Sequence, residues 1–85
     1  MSRYNLPIPQ FEHDTAIVEA TLAYGFDHAV GYFYQIYAVD EAVPVESKES
    51  FLDGLSRGDM LERFDALKVL LPDTHRAAIL LDLPF

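Results

Sequence analysis

Tyr24-Gly-Phe-Asp-His-Ala-Val-Gly-Tyr-Phe-Tyr-Gln-Ile-Tyr-Ala-Val39 is the stretch on which the reading of this chain turns. It holds four of the five tyrosines and two of the six phenylalanines, with no lysine or arginine among them. Aromatic and β-branched side chains at this density suit a pleated surface buried on at least one face. The pattern predicts a central strand over Ala29 to Val39, entered through a turn at Gly25-Phe26-Asp27-His28. Tyr32, Tyr34, Ile36 and Ala38 then point one way, and Phe33, Gln35, Tyr37 and Val39 the other. Neither set is polar, which predicts cover on both sides: helices on one, a partner or a loop on the other. Gly31 inside the strand predicts a bulge or a close backbone approach.

Upstream, residues 15–24 fit two patterns. Strict alternation places Ala16, Val18, Ala20, Leu22 and Tyr24 on one face of a strand, making a hairpin over 15–39. The alternative is a helix capped by Asp14 and stopped at Gly25. The strand-like neighbour favours the hairpin. Residues 1–11 read as an extended lead-in, since Pro7 and Pro9 forbid a helix there.

Downstream, residues 40–55 form an acidic connection, with a possible short edge strand using Val43, Val45 and Phe51. Ser56-Arg57-Gly58-Asp59 has the form of a capping box with aspartate in place of glutamate. Met60, Leu61, Phe64, Leu67 and Leu71 follow at helical spacing, with Glu62, Arg63, Asp65 and Lys68 toward solvent and Asp59 paired to Arg63. Pro72 ends this helix near Leu70 and opens a second one. Ala77, Ala78, Leu80 and Leu81 give the second helix its apolar side, and Pro84 closes it. Residues 56–83 thus carry two helices. The predicted class is α+β: a small antiparallel sheet built on a hairpin, followed by two short C-terminal helices.

With 85 residues the chain makes one domain, and its apolar content of 51% supports a core. So short a chain has a thin stability margin, usually reinforced by disulfides, metal or a partner subunit. Cysteine is absent, which excludes disulfides, thiolate metal sites and cysteine nucleophiles. Self-association is the expected reinforcement, as a homodimer. Fourteen acidic against six basic residues give a formal charge of −8. Such a chain is repelled by phosphate backbones and anionic lipid, so direct nucleic-acid and membrane contacts are not expected. Acidity also serves solubility alone. There is no apolar run long enough to span a bilayer and no secretory leader pattern, so the expected location is cytoplasmic.

Each histidine lies near an aspartate, as in Asp27 with His28 and Asp73 with His75. Such pairs can hold a metal or transfer protons, because imidazole needs an orienting carboxylate. Their spacing matches no ligand motif, and aspartate beside a turn or helix start has a capping role of its own. Neither a nucleophile elbow nor a glycine-rich phosphate cradle is present, and no cofactor is expected. The aromatic stripe is explained most simply as core. Tyrosine hydroxyls nevertheless want partners, which makes Tyr32, Tyr34 and Tyr37, with Asp40 and Glu41, candidates for contacting a partner protein.

The pattern Gly25-Phe26-Asp27-x-x-Val30-x-Tyr32-Phe33-Tyr34-Gln35-x-Tyr37, followed by Leu71-Pro72-Asp73, resembles a group of small proteobacterial proteins. Those have a Gly-aromatic-Asp turn, an aromatic strand, and two short helices split by Leu-Pro. The likeness runs from Ala20 onward. It implies a strand-turn-strand unit before two helices and carries no activity. The expectation is a non-enzymatic acidic protein-binding module. The alternatives are a nucleic-acid-mimicking inhibitor of phage or plasmid origin and a small metal-dependent or acid–base enzyme using the His/Asp pairs.

Overall fold

A computed structural model describes residues 2–39, 41–83 and 85. Four antiparallel strands form a meander: β1 (Tyr4–His13), β2 (Ala16–Asp27), β3 (Gly31–Ala38) and β4 (Glu46–Glu49), adjacent in that order. Three helices follow: α1 (Ser50–Asp53), α2 (Arg57–Leu67) and α3 (Asp73–Leu80). The architecture is α+β, a hairpin-built antiparallel sheet with helices after it. No helix is long and apolar enough to cross a membrane among the described residues.

The hairpin alternative for residues 15–24 is the one found. Asp14 is no helix cap: Asp14 and Thr15 both take positive φ, 50° and 66°, and turn β1 directly into β2, as a two-residue hairpin with right-handed strand twist requires. The lead-in is therefore a full strand, with Tyr4 opposite Tyr24 and Ile8 opposite Ala20. Pro7 and Pro9 are compatible with it because β1 is an outer strand, where a missing N–H need break no ladder bond. Pro9 falls in the irregular stretch between Ile8 and Phe11.

The next turn lies later than the glycine implied. Gly25 and Phe26 stay in β2, opposite Phe33 and Tyr32, and the turn is His28–Val30, where Asp27 Oδ1 accepts the Ala29 N–H at 2.8 Å. Gly25 is instead a point of close approach. A Cβ there would lie 2.1 Å from the Ser2 carbonyl oxygen, and the Phe33 ring covers the gap. Gly31 opens β3 with φ of +79°, and a Cβ on it would meet Ser50.

Helices cover one face of the sheet. Ile8, Leu22, Tyr24, Tyr34 and Ile36 meet Met60, Phe64 and Ile79 in the core. Helix α2 starts as its sequence dictates, with Ser56 Oγ accepting the Asp59 N–H, and Met60, Leu61, Phe64 and Leu67 form its buried stripe. It stops at Leu67, before Leu70, because Lys68 turns left-handed at φ 57°. In α3 the inward residue is Ile79, fully buried, whereas Leu80 and Leu81 are exposed. Phe51 lies in α1 and not in an edge strand. The closing role expected of Pro84 falls outside the described residues.

The opposite face of the sheet is covered in part by the chain itself. Phe33 and Ala23 are buried there, and the Arg3 guanidinium stands 6.0 Å from the Phe33 ring centre. Tyr37 donates to Gln35 at 3.0 Å, and Arg3 donates to Tyr37 at 3.4 Å.

Candidate functional site

Tyr32 and Tyr34 of β3 are structural anchors. Tyr32 and Tyr34, expected to contact a partner, are only 6% and 3% exposed. Alternation aims them at the helices, and each hydroxyl is satisfied within the chain. Tyr32 donates to Asp82 at 2.9 Å. Tyr34 donates to Glu46 at 2.6 Å, and Arg63 grips the same carboxylate with two bonds of 2.9 Å. This fork replaces the expected Asp59–Arg63 pair: β4 brings Glu46 across from α2, and bidentate geometry outcompetes a helix-surface pair. Burial alone would push the Glu46 carboxyl up, but the Arg63 and Tyr34 hydrogen bonds prevail and hold it below the ordinary range.

Tyr37 is half-buried on the far face, Glu41 is exposed, and Asp40 lies outside the described residues. Tyr37 and Glu41 remain surface candidates. Neither lines the clefts that contain Tyr34 and Tyr32.

Of the His/Asp pairs, His13 and Asp14 meet, Nε2 lying 3.3 Å from Oδ2 beside the first hairpin turn, whereas Asp27–His28 and Asp73–His75 form no ion pair among the described residues. His75 is hydrogen-bonded through Nδ1 to the Tyr24 hydroxyl at 2.6 Å, inside a ring cluster with Tyr4 and Phe85. His28 packs edge-on against Phe26 at 5.3 Å. Asp27 serves the turn, and Asp73 sits in the first turn of α3. No three histidine, aspartate or glutamate side chains gather to hold a metal among the described residues.

What the sequence reading missed is a pair of open clefts on either side of the short α1–α2 linker. One is an apolar groove of about 410 Å³, with Phe26, Tyr32, Phe51 and Leu55 along it and Arg57 and Asp82 at its border. The other, of about 430 Å³, is lined by Asp53, Asp59 and Glu62, with Lys48, Arg63 and again Leu55. Leu55 is common to both. Phe51 and Leu52 are 67% and 78% exposed, and Leu80, Leu81 and Leu83 are exposed as well. Arg57 Nη1 donates to the Leu80 carbonyl at 3.0 Å, which ties the linker to the end of α3. Asp82, between Leu81 and Leu83, lines the same groove as Phe51. The signal available in the sequence was Phe51-Leu52, two large apolar residues inside a polar connection.

The chain matches no protein-family model, no curated protein and no solved structure.

Proposed function

We propose that this chain is a non-enzymatic protein-binding module, acting on another protein or on a second copy of itself. The observation that carries the reading is the set of large apolar side chains left at the surface, Phe51 and Leu52 of α1 and Leu80, Leu81 and Leu83 at and after the end of α3, with Phe51 sharing a groove with Asp82. Large apolar side chains gathered at the surface and rimmed by polar groups mark contact sites. A cytoplasmic setting suits the cysteine-free composition. The likeness of Gly25–Tyr37 to small proteobacterial proteins is offered as kinship and adds no activity.

The test is affinity capture from host lysate with mass spectrometry, run beside light scattering on the purified chain. Specific capture of a partner, or a dimer in solution, supports the reading. A monomer that captures nothing overturns it. A sharper form is an inhibitor whose carboxylates stand in for nucleic-acid phosphates, favoured by Asp53, Asp59 and Glu62 sharing one cleft. Its binding to a basic target must collapse as salt rises.

A further inference from the structure

We propose that the two clefts flanking Leu55 form one composite docking surface for a basic partner segment that carries an apolar anchor residue. The inference rests on the protein-binding reading and gives it a site and a partner chemistry.

The argument begins with the linker. Helix α1 ends at Gly54, left-handed at φ 68°, and Ser56 already caps α2. Only Leu55 separates these two fixed points, so the wall between the clefts is held from both sides. On one side Tyr32 is committed to Asp82 and Arg57 to Leu80. Tyr32 and Asp82 are thus paired within the chain and Arg57 is tethered through one donor, and what the groove offers a visitor is the surface of Phe26, Phe51 and Leu55. On the other side, Arg63 is spent on Glu46, which leaves Lys48 as the cation facing Asp53, Asp59 and Glu62. Asp59 and Glu62 make no ion pair among the described residues. The second cleft is negative in sum.

An occupant crossing Leu55 must therefore place an apolar side chain in one cleft and a cation in the other. Lysine or arginine beside leucine or phenylalanine meets both demands. A second copy of this chain does not. It carries a charge of −8, and a twofold contact through this face would bring like carboxylates together.

The experiment selects short random peptides displayed on phage against the immobilised full chain, then measures the enriched peptides by fluorescence polarisation. Enrichment of peptides pairing a lysine or arginine with a large apolar residue is the expected result. Phe51→Ser should weaken them by about tenfold. Asp59→Asn with Glu62→Gln should weaken them several-fold and flatten their salt dependence. The three positions lie at the surface, and circular dichroism verifies that each variant keeps its fold.

Failure to enrich any peptide overturns the proposal, as does enrichment of acidic peptides or binding unchanged in Phe51→Ser. A dimer that Phe51→Ser dissolves also overturns it, because the face is then taken by a second copy. If lysate capture succeeds and survives all three substitutions, the binding reading stands and this site is wrong.

Discussion

The Tyr24 hydroxyl lies 2.6 Å from His75 Nδ1, joining β2 to α3. Tyr24 is fully buried, so this bond closes the far end of the core. Phe64 meets the same ring edge-on at 5.4 Å. Tyr24→Phe keeps the ring packing and removes the bond. The expected loss is about 1 kcal/mol by chemical denaturation. Loss of local protection should concentrate in α3, read by amide hydrogen exchange.

Glu46 predicts the acid behaviour. Its folded carboxyl titrates below the ordinary value of 4.5, so its contribution is present above that value and is lost as pH falls through the folded value. Glu46→Gln should be less stable than the parent at neutral pH, because Arg63 loses its charged partner. The gap between the two should close as pH falls below about 4.5. Denaturation midpoints measured along a pH series decide it; a gap independent of pH would contradict the assignment.

At the alkaline end the sign is opposite. Burial first, then the Asp82 hydrogen bond, pushes Tyr32 up to about 12. Burial, with Tyr4 adding, does the same for Tyr24. Tyr34 is raised by burial and by Glu46. Each contributes stability that is complete below the unfolded value of 10.0 and is lost as pH rises through the folded values. The phenolate absorbance of these three should therefore appear together with loss of the circular dichroism signal. Phenolates forming near pH 10 in a fully folded chain would refute it.

Two adjacent residues of α3 should respond in opposite ways. Ile79 is fully buried and Leu80 is 60% exposed. Ile79→Ala should cost about 2–5 kcal/mol, enough to threaten a domain of this size. Leu80→Ala should shift the thermal midpoint little. Parallel melts of the two variants provide the check.

The sheet was legible where composition and alternation agreed. Tyr32 to Ala38 combine β-formers with period two, and burial on the helix side follows from that alternation. Ser56 announced α2 because a hydroxyl three residues before an acid has a local job to do. Other features depended on contacts distant in sequence. β1 reads as a lead-in until its position at the border of the sheet is known, since proline is penalised only where a ladder bond is needed. Gly25 looks like a turn, yet its smallness serves Ser2. Arg63 has an acid four residues before it, but Glu46 arrives from β4 with better geometry. Isoleucine and leucine are equally apolar, so composition could not say which of Ile79 and Leu80 faced inward. The apolar groove beside Leu55 exists only once α1 and the end of α3 are placed together, and the acidic cleft only once β4 and α2 are.

Pro7 and Pro9 have a consequence for how the protein behaves when concentrated. A fibril grows by adding strands to an open border, and each added strand needs donors along it. The border offered by β1 has prolines at two of its ten positions, and β4 at the other end is four residues long, with its Glu49 N–H already donated to Asp53. Neither rim makes a good template. Replacing both prolines with valine should make the chain form thioflavin-positive filaments more readily than the parent.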